Sequence, residues 1–238
     1  MGRLFAPAPD AATAAASHQL GHRERLRERF LDGGAGAMPD YELMELVLFA
    51  AIPRRDVKPL AKDIIAHFGS FAEAIQAPRA RLLEVEGIGE AAVTQLKIVE
   101  AAALRLSRAA MLNKPALSSW AALIDYCTAA MARSPTEEFR VLFLDRKNIL
   151  VADEVQTRGT VDHAPVYPRE IVKRALELGA SAVILVHNHP SGDPTPSRAD
   201  IEMTRDVCAA AKALKIAVHD HLVIGRSGHA SFKALGLL

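Results

Sequence analysis

The sequence predicts two domains of different class, an all-α N-terminal half followed by an α/β C-terminal half. Three observations carry this reading. Before residue 113 apolar residues recur at helical spacing. After residue 115 short runs rich in β-branched side chains alternate with amphipathic helices, following one hairpin-like pair of strands. Between the two patterns, Asn113-Lys114-Pro115 breaks the chain, because a proline disfavours helical geometry in the residue before it. The domains are therefore expected over 20–112 and 115–238, with a disordered tail over 1–19.

Half of the 238 residues are hydrophobic, which supplies material for a core and argues against disorder. No apolar run approaches the length needed to span a bilayer, so a soluble protein with no membrane partner is expected. The two cysteines, Cys127 and Cys208, lie far apart in apolar helical contexts and form no C-x-x-C pair, which implies a reduced, cytoplasmic setting. The N-terminal stretch is rich in Ala and Pro, but Pro7, Pro9 and Asp10 interrupt any signal-peptide core. A formal net charge of +1 gives no general electrostatic case for nucleic acid, and splitting the chain at Lys114 leaves neither half basic.

In the N-terminal half, residues 22–34 read as a charged helix ended by glycines. Arg23, Arg25, Arg27 and Arg29 alternate there with Glu24 and Glu28, the pattern of a solvated face. Residues 40–51 follow as a helix capped by Asp40, with an apolar stripe of Leu43, Leu46, Val47 and Phe49, ended at Pro53. A further helix runs from about Asp56 through Ile65 to a stop at Gly69. Residues 80–107 predict a short helix, a Gly-Ile-Gly turn and a second helix, which resembles a helix-hairpin-helix motif. Gly87 and Gly89 permit a tight turn, Ile88 plugs between the helices, and free N–H groups near Glu90 to Ala92 can receive a phosphate. Gly87, Gly89 and Lys97 are accordingly candidate DNA-phosphate contacts, with Arg79 as another nearby cation. Glu84, Glu86 and Glu90 cluster around the same place and oppose an anion there.

In the C-terminal half, Ser118 or Ser119 caps a helix to Met131 with Leu123, Tyr126 and Cys127 on its apolar side. Residues 137–145 and 149–156 form two antiparallel strands around Asp145-Arg146-Lys147-Asn148. Arg158-Gly159-Thr160 leads into a loop, and Pro168 opens a helix that stops at Gly179. A buried strand over Ala182 to Val186, a helix from Ser197 with apolar positions Ile201, Val207, Cys208, Ala211 and Leu214, and a strand over 216–225 complete the series.

Residues 181–200, SAVILVHNHPSGDPTPSRAD, carry the chemistry. Side chains two apart on a strand share a face, so His187 and His189 project together. Pro190 and Ser191-Gly192-Asp193-Pro194 end the strand and loop the chain over its tip. Asp200 returns in the first turn of the next helix. Two histidines and one aspartate, with water at the remaining position, are the donor set of an open tetrahedral zinc site. Ser197-x-x-Asp200 also fits a helix capping box.

HNHPSGDPTPSRAD resembles the signature of the JAB/MPN domain, the JAMM metalloprotease motif, in its bacterial RadC form. Tyr167-Pro168-Arg169-Glu170, residues 220–225 (DHLVIG) and the N-terminal half extend the likeness over 20–238. The resemblance implies a three-layer, cytidine-deaminase-like domain with a mixed sheet, Zn2+ held by His187, His189 and Asp200, and Ser197 donating to a developing oxyanion. It further implies hydrolysis of a peptide or isopeptide amide, with an unknown protein or peptide as substrate. The family's general base precedes the first core strand, beside an aromatic or apolar residue. Among Glu137, Glu138, Glu154 and Glu170 that position is Glu138, beside Phe139, and Glu154 is the runner-up. One departure is Tyr167, where such sequences commonly have histidine. His163, His219 and His221 are further candidate ligands, but no acidic residue returns on a helix after His219 and His221. Asp220 and His221 therefore read as supporting hydrogen-bonding groups. The alternative function is a protein bound non-specifically to DNA and linked to repair or recombination, its metal site structural or acting on nucleic acid.

Overall fold

The computed structural model describes residues 11–111, 115–116, 118–159 and 166–238, with backbone alone for 11–20. By internal contacts the chain divides into two compact units, Met1–Ala101 and Ala102–Leu238.

The first unit is helical. It contains α1 (Ala11–Gly33), α2 (Asp40–Ala51), α3 (Lys58–Phe68), α4 (Phe71–Gln76), α5 (Arg79–Leu82) and the first half of α6 (Glu90–Met111). Its core gathers Leu26, Met44, Leu48, Ile64, Leu82 and Leu96. Gly69 ends α3 with φ 94°, and Ile88 plugs into the core as its sequence context predicts. Three expectations need correction. Residues 11–19, expected in a disordered tail, are the opening turns of α1, in keeping with the high helix propensity of their alanines; residues 1–10 lie outside the described residues. Asp40 does not cap α2, because Pro39 occupies the cap position and the Asp40 carboxylate instead accepts the Phe71 N–H at 2.7 Å. The division between units falls inside α6 rather than at 113–115, because Met111 packs into the second unit's core.

The second unit contains α7 (Trp120–Met131), β1 (Glu138–Leu144), β2 (Leu150–Arg158), α8 (Pro168–Glu177), β3 (Ala182–Asn188), α9 (Arg198–Ala213), β4 (Ala217–Gly225) and β5 (Gly228–Ser231). The sheet order is β2-β1-β3-β4-β5. β1 runs antiparallel to β2 and β3, β3 parallel to β4, and β4 antiparallel to β5, so the sheet is mixed. One face packs Leu142, Ile184, Val186 and Leu222 against Leu123 and Cys127 of α7. The other packs Phe139, Val141, Val183 and Leu185 against Ile171 of α8 and Val207 of α9. This three-layer arrangement covers both faces of β3, which explains its unbroken apolar run.

Two local expectations differ here. Ser119 stands at the N-cap of α7 without capping it, because both its hydroxyl and that of Ser118 donate to the Pro115 carbonyl. β5 has no counterpart in the sequence reading, since Gly228-His229-Ala230-Ser231 shows no apolar alternation. Among the described residues no helix is long and apolar enough to cross a membrane.

Candidate metal centre

The site lies where β3 ends and α9 begins. β3 is held between β1 and β4, and His189, one residue beyond it, extends the pairing by donating its N–H to the Ile224 carbonyl at 2.9 Å. His187 is 1% exposed. The two-residue spacing places both imidazoles on the α9 side, with Nε2 of His187 and Nε2 of His189 3.0 Å apart.

Asp200 completes the group. Its Oδ1 lies 3.3 Å from His187 Nε2 and its Oδ2 3.4 Å from His189 Nε2. It is also the third residue of a full capping box. Ser197 N–H donates to Asp200 Oδ2 at 2.7 Å, and Asp200 N–H donates to Ser197 Oγ at 3.1 Å. The capping and ligand readings of Asp200 therefore hold together, because the box aims the carboxylate at the histidines. Accepting that bond leaves the Ser197 hydroxyl proton available to a substrate oxygen.

The electrostatics are compatible with a bound cation. Burial opposes ionisation of Asp200, but interactions with the His187 and His189 imidazoles in their protonated forms outweigh it and hold the carboxyl far below the ordinary range. His189 is raised above 6.5, first by its hydrogen bond with Asp200; burial opposes this, while the Asp193 carbonyl and the charges of Asp200 and Glu137 reinforce it. Nδ1 of His189 sits 2.8 Å from the Asp193 carbonyl, which can only accept. That nitrogen carries the proton, so neutral His189 turns a lone pair toward Asp200 and His187.

Behind His187 lies a buried polar chain. His187 Nδ1 is 2.8 Å from His221 Nε2, His221 Nδ1 is 2.6 Å from Thr204 Oγ1, and Thr204 donates to the Asp200 carbonyl at 2.5 Å. Burial pushes His221 well below its ordinary value. His221 thus has the supporting role its sequence context suggests, whereas Asp220 serves the C-terminal segment through Ser231 Oγ, Lys233 N–H and His221 N–H. Thr204 was not singled out in the sequence, although its place four residues after Asp200 on one helix face was available as a signal.

The glutamates require a correction. Phe139 pairs with His187 in the β1–β3 ladder, so Glu138 points to the opposite face of the sheet. There its carboxylate is bound by Arg140 at 2.8 Å and Arg158 at 3.3 Å. Glu138 therefore does not face His187, His189 and Asp200. Glu137 precedes β1 on the other alternation, and its charge acts on His189. Asn188 grips both sides of it, its Oδ1 accepting the Glu138 N–H at 2.8 Å and its Nδ2 donating to the Thr136 carbonyl at 3.1 Å. Glu154 is held by Arg174 through bonds of 2.7–3.1 Å, which lower it, and the exposed Glu170 is 3.4 Å from Arg169.

The remaining candidates lie outside this constellation. His219 Nε2 meets Asn148 Oδ1 at 2.6 Å, and His163 lies outside the described residues. Tyr167 is exposed, with the Arg169 guanidinium over its ring. In the helical unit Gly87 turns with φ 88° and its carbonyl receives Arg55, while Gly89 is exposed. Lys97 is committed to Glu100 and the Ile75 carbonyl, and Arg79 to Glu90.

Fold and site together define a JAB-type α/β domain preceded by a helical region. The sequence profile described as RadC-like JAB domain matches residues 117–237, and that described as UPF0758 N-terminal matches residues 18–94. A UPF0758 protein of Rhodobacter capsulatus is 68% identical over 213 residues, covering 90% of this chain and 100% of that protein. A UPF0758 protein of Ruegeria pomeroyi is 61% identical over 217 residues, covering 91% of this chain and 97% of that one. The chain belongs to the RadC-like UPF0758 family.

Proposed function

We propose that the protein is a zinc-dependent hydrolase acting on a peptide or isopeptide amide. The observation that carries the reading is the spacing of the donor atoms of His187, His189 and Asp200. The two Nε2 atoms are 3.0 Å apart, Asp200 Oδ1 lies 3.3 Å from that of His187 and Oδ2 3.4 Å from that of His189, and one ligand atom from each residue lies within 4.8 Å of the others. Zinc–nitrogen and zinc–oxygen bonds of roughly 2.0–2.1 Å give tetrahedral edges of about 3.3 Å, close to each of the three contacts, so the two nitrogens and one carboxylate oxygen can share an ion. Bound there, the ion supplies acidified water and Lewis-acid polarisation of a carbonyl.

The chain's own residues supply the rest. Glu137, aimed by the Asn188 clasp, accepts the proton of the attacking water at its carboxylate and passes it to the leaving amine. Ser197 Oγ donates to the carbonyl oxygen as negative charge develops there. His187, His189 and Asp200 hold the ion, and the shell around His187 keeps it oriented. Two unpaired cysteines suit a reduced, cytoplasmic setting.

The observations favour this reading over DNA association as the primary activity, because Lys97 and Arg79 already serve carboxylates. The deciding experiment combines metal analysis with hydrolysis of a library of amide-linked peptides by the full chain, wild type against His187→Ala. Roughly one zinc per chain and amide cleavage are expected in the wild type, with both lost in the variant. Equal metal in the two proteins, or cleavage independent of metal, refutes the reading.

A further inference from the structure

We propose that Thr204 and His221 are positioning residues that select the metal-binding tautomer of His187 through a hydrogen-bond chain anchored on the Asp200 carbonyl. This rests on the metal-site reading above. The chain runs from His187 Nδ1 to His221 Nε2, from His221 Nδ1 to Thr204 Oγ1, and from Thr204 Oγ1 to the Asp200 carbonyl.

Proton counting gives each link a direction. The Asp200 carbonyl has no proton, so the Thr204 hydroxyl donates to it at 2.5 Å. Having spent its single proton, Thr204 Oγ1 can only accept at 2.6 Å from His221, which places a proton on His221 Nδ1. Neutral His221 then offers a lone pair at Nε2, and the 2.8 Å contact is completed by a proton on His187 Nδ1. His187 Nε2 is left bare, facing His189 and Asp200.

Reversing any link reverses the outcome. A proton on His221 Nε2 forces one onto His187 Nε2, where it blocks ligation. The direction originates in a main-chain carbonyl, which cannot invert. Residue positions explain why one helix turn suffices: Asp200 and Thr204 are four apart on α9, so the ligand's carbonyl and the threonine hydroxyl meet within the helix, while His221 reaches them from β4. His187 and His221 are 1% and 0% exposed, so bulk water does not compete for these bonds.

The first test needs neither metal nor substrate. Two-bond nitrogen–proton correlation spectra of the zinc-free full-length protein, taken where the imidazoles are neutral, report which ring nitrogen carries each proton. Nδ1–H is expected on both His187 and His221. A proton on Nε2 of either overturns the proposal. The second test compares zinc affinity in Thr204→Val and Thr204→Ser by chelator competition. Valine keeps the shape and removes the hydroxyl, and a loss of about 10–100-fold is expected. Serine restores the hydroxyl and is expected to retain near-wild-type affinity. Equal affinity in wild type and Thr204→Val, or a Thr204→Ser protein as weak as the valine variant, overturns the proposal. If Thr204→Val does not fold, the wild-type spectra still decide. Correct tautomers without amide cleavage refute the hydrolase reading alone.

Discussion

Phe139 stands directly opposite His187 across the β1–β3 ladder, the two rings lying 16° from parallel with centroids 6.2 Å apart. This pair fixes the absolute face of every side chain at the start of β1. Odd-numbered residues look toward the histidines and even-numbered ones toward α7, so Glu137 and Glu138 have opposite fates. Glu137→Gln is expected to keep its zinc and lose roughly 10²–10⁴-fold in turnover. Glu138→Gln is expected to turn over far better, while losing about 1.5–3 kcal/mol of stability through Arg140 and Arg158. Zinc content, denaturant midpoint and turnover of the two variants check this. A larger turnover loss in Glu138→Gln than in Glu137→Gln contradicts it.

Asn188 tests how Glu137 is held. Asn188→Ala removes one acceptor and one donor from a fully buried position, leaving the Glu138 N–H and Thr136 carbonyl without that partner. A cost of about 1–3 kcal/mol follows from unsatisfied backbone groups. Because the ligands are untouched, zinc affinity is expected to hold while kcat falls with KM little changed. A change in zinc affinity as large as that in kcat would locate the effect in the ligands instead.

The pH dependence of metal binding follows from His189. Zinc and a proton compete for the same Nε2 lone pair, and the hydrogen bond with Asp200 foremost raises His189 above 6.5. Affinity is therefore full at pH well above that raised value and declines as pH falls through it. The decline is expected to set in above pH 6.5, measured by chelator competition. A decline confined below pH 6.5 contradicts the assignment.

Metal removal has a stability signature. Zinc that binds only the folded state adds about 2.7 kcal/mol when present at 100 times its dissociation constant. Chelation is expected to lower the midpoint of the unit containing β3, re-addition to restore it, and Asp200→Ala to abolish the response. Calorimetry of the three samples measures this, and an unchanged midpoint on chelation counts against a bound ion.

Gly225 offers a test remote from the ligands. A Cβ built there falls 2.3 Å from the Gly192 carbonyl oxygen. Gly225→Ala must therefore displace the loop whose Asp193 carbonyl orients His189. Zinc affinity is expected to drop about tenfold with all three ligands intact, an effect of the size typical for lost orienting groups. Wild-type affinity in this variant shows that the loop adjusts without moving His189.

The cluster of His187, His189 and Asp200 was readable because each residue leaves a local trace. His187 and His189 carry the strand period, and Asp200 carries the spacing from its capping serine. Glu138 was preferred to Glu137 because alternation separates neighbours without saying which side faces the histidines, and that information resides in the pairing of Phe139 with His187. Thr204, Asn188 and the direction of the His221 link depend on contacts between elements 17 to 52 residues apart. The start of α1 was missed where alanine propensity prevailed over the proline-rich composition just before it.

β3 has both faces buried and neighbours on both edges, and this makes the centre sensitive to insertions as well as substitutions. One extra residue within the strand would rotate everything beyond it by one step of the pleat, turning both imidazoles toward α7 and delivering Asn188 to the side that faces Asp200. Length variation near this site is thus restricted to the turns that flank the strand. Libraries intended to alter the pocket should diversify residues 190–196 in place and leave the number of residues in β3 unchanged.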